Sequence, residues 1–360
     1  MQELFDQLEQ LERSERRVAL ATLVDTRGTT PRREGAKMWV GEQGRILGSV
    51  TIGGCVDARV IEEADSVLAG GPPRLLEVDL GAEEAWEMGL SCGGTVEVLV
   101  EPVTLAGAAS PTLAFYRRLR ALAEAGGRGA LVTPLDGGDT ARRLLVLDDG
   151  TREGTLGDPG LDTAAAAVAG DLLRRGASRT VTLPGGARLF VEAYGPLAVL
   201  LIVGATHVAI PLSSLARVMG FRTVVVDARP RFATRERFPD ADAIRIGIPS
   251  EIVAGMPLTP ATALVLLAHD HKFELPVLRH ALRSEVGYVG MLGSRRRGEA
   301  IRKLLRAEGI PDEALARLRV PIGLDLGGDS AAEIALAVLA EVQAARAGAS
   351  ARPLAGVAAS

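Results

Sequence analysis

The chain has 360 residues, 47% of them hydrophobic and 24% charged, with a formal net charge of −4. This composition is typical of a globular protein, and the length is sufficient for two or three domains. The acidic balance argues against an extended nucleic-acid-binding surface, and no apolar run is long enough to predict a membrane span. Two cysteines cannot form a disulfide framework, and the charged start is unlike a signal peptide, so we expect a cytoplasmic protein.

The first third of the chain is predicted to place a β-hairpin and a helix between two longer strands. Apolar residues at helical spacing begin the chain, and a glycine-flanked turn separates the hairpin strands. The predicted elements are a helix to about residue 17, strands at 18–24, 37–40, 46–50 and 95–100, and a helix at 56–69.

A second stretch repeats this pattern more weakly. The matching segments are 19–22 with 130–133, 44–50 with 150–156, and 98–101 with 189–192. These matches predict an internal duplication over about residues 18–103 and 129–194. Leu161 falls opposite Cys55 in this comparison, which indicates that the fold itself does not require the thiol.

The pattern changes after residue 195. A continuous apolar run at 197–203 is typical of a central strand in a parallel sheet. Further strands are predicted at 222–227, 263–268 and 287–292, with helices at 211–219, 275–283, 299–308 and 331–346. We therefore predict an α/β protein with an N-terminal α/β region at 1–195 that contains the duplication. A Rossmann-like doubly wound parallel sheet follows at 196–346, and then a flexible tail at 347–360.

Cys55 and Cys92 are the only thiols, and each lies beside a pair of glycines. The glycines are Gly53, Gly54, Gly93 and Gly94. Glycine allows the backbone to approach a ligand closely and to adopt positive φ angles. A cysteine used only for packing lies more often within an apolar run. The pattern favours ligand handling by at least one thiol over two inert thiols near tight turns.

A dinucleotide-binding turn is predicted between the first strand of the C-terminal domain and the next helix. The motif GATHVA begins at Gly204, but Thr206 takes the place of the second glycine, where a pyrophosphate normally approaches the backbone. His207 lies in the same turn. Asp227 ends the next strand and is placed to bind a ribose 2′-hydroxyl, while Arg229 partly offsets its preference against a 2′-phosphate.

His269, Asp270 and His271 follow another predicted strand, at the sheet edge where open α/β folds bind ligands. Imidazole and carboxylate are common zinc ligands, although a third ligand would have to come from a distant segment. The pattern therefore leaves three interpretations open: ligand contact or proton transfer, a metal site, and structural hydrogen bonding.

Ser294 and Arg295 follow the next predicted strand and open a helix. Backbone N–H groups at a helix start, together with arginine, indicate an anion site, with a solvated helix start as the alternative. Asp325 lies in a later loop and is expected near the same ligand edge, before a helix capped by Ser330 and Glu333.

Taken together, these segments resemble the XdhC/CoxI family, accessory factors of xanthine dehydrogenase and related molybdenum hydroxylases. The segments are TTPR at 29–32, GAKM at 35–38, GSVTIGGCV at 48–56, SCGG at 91–94, VEP at 100–102, GATHVA at 204–209, DAR at 227–229, RFP at 237–239, HDH at 269–271, YVGMLGSR at 288–295 and PIGLD at 321–325. The chain differs from the family pattern at Thr206, usually glycine, at Ala268, commonly threonine, and at Asp57, usually glutamate.

The resemblance implies a chaperone for the molybdenum cofactor (molybdopterin). Such a protein binds the cofactor, protects it while a cysteine desulfurase installs its terminal sulfur, and delivers it to an apo molybdenum hydroxylase. The resemblance implies that Cys55, with Cys92, faces the molybdenum or the sulfur transfer, because a thiolate suits a soft metal centre. Arg32 and Lys37, together with the Ser294 segment, would hold the cofactor's phosphate.

Two alternatives remain from the residues alone. One is an NAD(P)-dependent oxidoreductase with His269 and His271 as catalytic residues. The other is an assembly scaffold with a vestigial nucleotide site. A cofactor-insertion chaperone is preferred over a turnover enzyme, and we expect a homodimer.

Overall fold

A computed structural model describes residues 2–28, 32–51, 54–80, 94–106, 110–136, 142–268, 270–353 and 355. The chain divides into two compact units, one over residues 3–196 and one from residue 197 onward. No helix in the described ranges is both long and apolar enough to cross a membrane.

The first unit begins with helix α1 (Gln2–Ser14), whose apolar face is buried, and then forms its first repeat. The repeat comprises β1 (Arg17–Gly28), β2 (Lys37–Gly41), β3 (Ile46–Gly48), α2 (Cys55–Leu68), β4 (Arg74–Asp79) and β5 (Gly94–Thr104). Its five strands form an antiparallel sheet in the order β3-β2-β1-β5-β4. Apolar residues of α2 and of one sheet face share a core.

Helix α3 (Pro111–Glu124) leads into a second repeat. This repeat comprises β6 (Gly129–Pro134), β7 (Leu144–Leu147), β8 (Arg152–Gly154), α4 (Pro159–Arg175), β9 (Arg179–Thr182) and β10 (Arg188–Tyr194). Its sheet has the order β8-β7-β6-β10-β9, which is the order of the first sheet, and α4 packs on it as α2 does on the first. The predicted internal duplication is therefore present in the fold.

Two strands of the first repeat are longer than the sequence predicts. β1 continues past residue 24 to Gly28, and β5 continues past residue 100 to Thr104. The two strands pair from Arg17 opposite Thr104 to Gly28 opposite Gly94, with a register shift between Leu23 and Asp25. The irregularity absorbs one residue, so pairing continues through polar residues that the pattern assigns to a turn.

The second unit is a six-stranded sheet with helices on both faces. Its elements are β11 (Val199–Val203), α5 (Ala209–Val218), β12 (Arg222–Asp227), β13 (Ala243–Ile246), α6 (Pro249–Ala254), β14 (Thr262–Leu266), α7 (His271–Leu282), β15 (Tyr288–Met291), α8 (Arg295–Ala307), α9 (Asp312–Ala316), β16 (Leu318–Arg319) and α10 (Ala331–Ala347). All neighbouring strands are parallel, in the order β13-β12-β11-β14-β15-β16. This is the strand order of dinucleotide-binding folds, so the predicted fold class is confirmed.

Helix boundaries in the second unit follow capping residues. Helix α7 begins at His271, earlier than the predicted residue 275, because the Asp270 side chain accepts a hydrogen bond from the N–H of Lys272 at 2.9 Å. The predicted capping box of Ser330 and Glu333 at the start of α10 is confirmed.

Candidate functional site

Helix α2 begins at Cys55, directly after Gly54 in the left-handed conformation with a φ of 77°. Gly54 has no side chain, so no side-chain hydrogen bond caps the start of the helix. Asp57, in the first turn, accepts from the Ser49 hydroxyl at 2.6 Å and from the N–H of Val50 at 3.2 Å. This carboxylate therefore ties the loop before α2 to the helix itself.

The same loop has a second anchor. Arg32, predicted to bind an anion, donates through Nη1 to the carbonyl of Ser49 at 2.9 Å. Gly94, also predicted in the site, begins β5 opposite Gly28. The predicted site residues Gly53, Cys92 and Gly93 lie outside the described residues.

The second repeat keeps the first-turn carboxylate but has no thiol. Asp162 accepts from the N–H of Leu156 and from the Thr155 hydroxyl, both at 2.7 Å. Its place in α4 corresponds to that of Asp57 in α2. This equivalence places Gly160 opposite Cys55, one residue before the position expected from sequence alone.

The two helix starts differ in their capping. At the start of α4, the carboxylate of Asp158 accepts from the N–H of Leu161 at 2.7 Å. Gly54 is the residue that precedes the helix in the first repeat, and it cannot make such a bond. The helix start of the first repeat therefore has no side-chain cap, whereas Asp158 caps the corresponding helix start of the second repeat.

Lys37 lies in a buried network rather than at an open anion site. Its Nζ is 2.8 Å from Oε1 of Glu192 and 5.4 Å from the ring centre of Tyr116, and it donates to Thr22 at 3.3 Å. Tyr194 also donates to Oε1 of Glu192, at 3.1 Å. Burial lowers the pKa of Lys37, but the attraction of Glu192 and the other interactions outweigh it and hold the pKa above its usual value.

A second buried ion pair mirrors the first. Arg143 of the second repeat pairs with Glu101 of the first, while Lys37 of the first pairs with Glu192 of the second. Tyr116 of α3 is buried near both pairs, and burial raises the pKa of its hydroxyl. Each repeat thus supplies a cation and a carboxylate to the other, as expected for a two-fold related interface.

The internal repeat in the sequence contains a signal for this exchange, although the residue types alone do not show which residues pair. The matching segments 98–101 and 189–192 both end in the glutamates of the two pairs. Arg143 has a matching role to Lys37: it donates to Thr133 at 3.0 Å, as Lys37 does to Thr22. The reciprocity of the two pairs becomes visible only when sheet pairing places these residues.

A cavity of about 270 Å³ opens beside the Lys37 pair and is lined by both repeats. Arg32 and Lys37, both predicted to hold a phosphate, contribute to its wall. Three carboxylates, from Glu3, Glu34 and Glu192, line the same cavity. The acids outnumber the cations, so the charge of this cavity does not favour a phosphate.

In the second unit, four predicted residues meet at the carboxyl ends of the central strands. Gly204, Asp227, Arg229 and Asp270 line a cavity of about 100 Å³. Gly204 has a φ of 108°, and a Cβ there would lie 2.7 Å from the backbone nitrogen of Ala268. Glycine is therefore required where the turn after β11 approaches the end of β14.

Asp227 is buried, and protein donors already engage both of its oxygens. Oδ1 accepts from the N–H of Arg229 at 2.8 Å and from its Nε at 2.9 Å, and Oδ2 accepts from Nη2 of Arg229 at 2.8 Å and the N–H of Ala205 at 2.7 Å. Burial raises the pKa of Asp227, but Arg229 and the backbone donors outweigh it and hold the pKa below its usual value. A carboxylate offers about four acceptor positions, so a ribose hydroxyl would have to displace one of these donors.

The other residues of the predicted turn are less engaged. The N–H of Thr206 donates to the carbonyl of Gly204 at 2.9 Å, and its Oγ1 is buried with no hydrogen-bond partner in the described structure. His207 is exposed. The Thr206 hydroxyl therefore remains a donor that a ligand at this turn could use.

The His-Asp-His segment has structural contacts at its described positions. Asp270 caps α7, His271 is exposed, and His269 lies outside the described residues. Glu274, one turn on, is buried in an ion pair with Arg297. Within the described ranges, no group of three His, Cys, Asp or Glu residues could hold a metal ion.

The remaining predicted site residues are either engaged in a local hydrogen bond or exposed. They are Ser294, Arg295 and Asp325. The Ser294 side chain caps α8 by accepting from the N–H of Arg297 at 3.2 Å. Arg295 and Asp325 are exposed. The expected anion site at this helix start thus consists of a self-capped serine and an exposed arginine.

Comparisons with known proteins agree across both units. The sequence model described as the XdhC and CoxI family matches residues 11–79, and the XdhC Rossmann domain matches residues 200–342. The chain is 26% identical to a protein of Bacillus subtilis named as a probable xanthine dehydrogenase subunit, over 93% of this chain and 95% of that protein. It is 29% identical to the molybdenum cofactor insertion chaperone PaoD of Escherichia coli, over 91% of this chain and 83% of that protein.

A solved structure gives the same result. The crystal structure of a protein described as a xanthine dehydrogenase from Bacillus halodurans superposes with a TM-score of 0.77 at 27% identity, covering 98% of this chain and 97% of that one. The two matching sequence models, the full-length relatives and the shared fold agree with one another. The chain belongs to the XdhC and CoxI family.

Proposed function

We propose that this protein binds the molybdenum cofactor as cargo, holds it during sulfuration by a cysteine desulfurase, and delivers it to an apo hydroxylase of the xanthine dehydrogenase type. Family membership supports this proposal, as does the similarity to a protein named as a molybdenum cofactor insertion chaperone. We further propose that the protein acts as a homodimer.

The observation that carries the proposal is the difference between the two helix starts of the first unit. Both repeats tie the loop before the helix to a first-turn aspartate, Asp57 or Asp162. Only the first repeat combines an uncapped glycine start with a cysteine at the first helical position. A feature found in one copy of a duplicated fold is not required by that fold.

These residues fit the cargo chemically. A thiolate at Cys55 suits a soft metal or its sulfur ligand. The start of α2 has no side-chain cap, and uncapped N–H groups at a helix start favour an anion. Asp57 and Arg32 would fix the loop from two sides, so that little reorganisation is needed on binding.

The test is the molybdopterin content of protein purified from a molybdate-fed, cofactor-competent host, measured by fluorescence after oxidation. We expect pterin in the wild type and a strong reduction in Cys55→Ala. Gly160→Ala is the matched control, because it changes the corresponding position of the second repeat, and it should retain wild-type content. Cys92→Ala then determines whether the second thiol contributes.

Absence of pterin from the wild type under these conditions would overturn the cargo proposal. If Cys55→Ala and Gly160→Ala lost equal amounts of molybdopterin, Cys55 would have no special role in the site. The proposal that the protein binds the cofactor would still stand. Co-purification of the tagged protein with an apo hydroxylase, and separately with a cysteine desulfurase, tests the two proposed partners.

Nucleotide binding by the second unit is a second proposal, supported by the strand order and the positive φ of Gly204. Binding requires the hydrogen bonds from Arg229 to Asp227 to break, because protein donors otherwise occupy the acceptor positions of the carboxylate. Calorimetric titration with NAD⁺ and NADP⁺ tests it, with Arg229→Ala expected to bind NAD⁺ more tightly than the wild type. No binding to either protein would leave a nucleotide-free scaffold.

A further inference from the structure

The second repeat contains a basic cavity that the proposed function does not use. It has a volume of about 380 Å³, within the range of roughly 300–1,000 Å³ found for small-molecule sites. It lies between the β7–β8 hairpin and helix α4. Arg128, Arg152 and Arg174 line it, and Asp148 is the sole carboxylate among its described lining residues.

The three arginines keep donors available. The described contacts engage one nitrogen of each guanidinium: Arg128 donates to a backbone carbonyl, Arg152 donates to Thr163 at 3.4 Å, and Arg174 pairs with Asp171 at 3.4 Å. A guanidinium has five N–H donors in a planar fork. Three such forks line one cavity, and their unengaged N–H groups are the kind of donor that an oxyanion such as a phosphate accepts from.

The floor of the cavity contains a glycine that packing does not require. Gly170 lies inside the 17-residue helix α4, where glycine is less stable than alanine. A Cβ on Gly170 would meet only Nη1 of Arg174, at 3.6 Å, an ordinary contact. Neither backbone conformation nor close packing requires the glycine, and a residue without a side chain leaves this part of the cavity open.

The first repeat serves as an internal comparison. When the two helices are aligned through Asp57 and Asp162, the small floor residues fall opposite larger or acidic ones. Ala166, Ala167 and Gly170 correspond to Ile61, Glu62 and Asp65, and Arg152 on the hairpin corresponds to Ile46. The same surface is therefore acidic in one copy and small and basic in the other. The shared fold accommodates both, so it does not dictate the basic cavity.

We propose that this cavity binds a phosphomonoester of about the size of a nucleoside monophosphate. The arginines bind the phosphate, and the apolar surface of Ala166 and of β7, with Val146 and Leu147, packs against the planar body of the ligand. This inference does not rest on molybdenum cofactor binding, and its test uses cofactor-free protein.

The test is calorimetric titration of the full chain with AMP, adenosine and inorganic phosphate. We expect AMP to bind roughly ten- to a hundredfold more tightly than adenosine, because the charged hydrogen bonds are lost without the phosphate. Gly170→Leu fills the cavity and should weaken AMP binding by about tenfold or more. Gly170→Ala adds one methyl group in ordinary contact, so it should fold at least as stably and still bind.

Asp65→Leu is the matched control, because it adds the same side chain at the corresponding position of α2 and should leave AMP binding unchanged. The proposal is overturned if AMP does not bind, or if Gly170→Leu and the wild type bind it equally, since any affinity then lies elsewhere, including the second unit. It is also overturned if inorganic phosphate binds as tightly as AMP, which would mean an adventitious ion only.

Discussion

The two repeats of the first unit share one architecture and differ at their helix starts. Both have the same strand order, the same first-turn aspartate, and glycines of positive φ at matching hairpin positions. Among the residues that the structure describes, the first repeat has a cysteine at its helix start and the second repeat has a basic cavity. Features kept in both copies therefore identify what the fold needs, and features kept in one identify candidate sites.

The features that both copies share include two buried ion pairs, each formed between a residue of one copy and a residue of the other. Lys37 reaches across to Glu192, and Arg143 reaches across to Glu101. A small apolar cluster that includes Leu99 and Phe190, one from each repeat, also joins the copies. The first unit is thus organised as an intrachain pseudodimer in which neither copy has a complete charge network alone.

Removing either carboxylate of this exchange should have the largest effect on stability. Glu101→Ala or Glu192→Ala leaves a buried cation without its partner, which costs about 3–5 kcal/mol. Replacing both partners, as in Arg143→Met with Glu101→Leu, should recover most of that loss because no charge remains buried. Denaturant unfolding followed by tryptophan fluorescence measures this, since Trp39 is buried in β2 of the first unit.

The exposed pair of Arg118 and Glu153 provides the control, because solvent screens such pairs. Arg118→Ala should change the unfolding midpoint only slightly. If removing Glu101 or Glu192 changed the midpoint no more than this control, the exchanged pairs would not join the repeats.

The hairpin glycines test whether the two copies have equal constraints. A Cβ on Gly48 would lie 2.5 Å from the carbonyl oxygen of Lys37, and one on Gly154 would lie 2.3 Å from that of Arg143. We expect Gly48→Ala and Gly154→Ala each to cost about 3 kcal/mol, the upper end for backbone strain. Unequal losses from the two substitutions would show that the hairpins are not equivalent.

The outer hairpin glycines are the matched comparison. Gly44 and Gly150 also have positive φ, but a Cβ at either would meet nothing within 4 Å. Their alanine variants should therefore lose only the conformational term of about 1 kcal/mol. Comparing the unfolding free energies of the outer and inner glycine variants therefore separates the cost of the positive φ angle from the cost of the steric contact.

The first-turn aspartates should have equal structural and unequal functional effects. Asp57→Ala and Asp162→Ala each release a loop N–H and a hydroxyl, so each should lower the free energy of unfolding by about 1–3 kcal/mol. Under the proposed function, only Asp57→Ala should reduce molybdopterin content. Equal pterin loss in both variants would mean that stability, rather than the loop before Cys55, controls loading.

Much of the fold could be predicted from the sequence because its signals are local. The apolar run at 197–203, the glycine spacing of the hairpins, and Ser330 with Glu333 each determine nearby structure. The ends of β1 and β5 could not be predicted, because they depend on the pairing of strands about 70 residues apart in sequence.

The candidate site was harder to predict than the fold. Residue types predicted Gly204, Asp227, Arg229 and Asp270 as site residues, and these four line one cavity. They did not reveal that Arg229 donates hydrogen bonds to the carboxylate of Asp227, or that Lys37 is buried in an ion pair with Glu192. The partner of a charged side chain depends on tertiary contacts, and here those partners lie between 2 and 155 residues away.

The smallest expected effect concerns pH and distinguishes the two exchanged pairs. The pKa of Lys37 is raised above its usual 10.5, so its contribution to stability is complete below that pH and is lost as the pH rises through the folded-state pKa. The difference in unfolding free energy between wild type and Lys37→Met should therefore be constant to about pH 10 and fall by less than roughly 1 kcal/mol by pH 11. The corresponding difference for Arg143→Met should stay flat, because arginine remains protonated there. A rise in this difference between neutral pH and pH 10 would mean instead that burial, which lowers the pKa of Lys37, outweighs its attraction to Glu192.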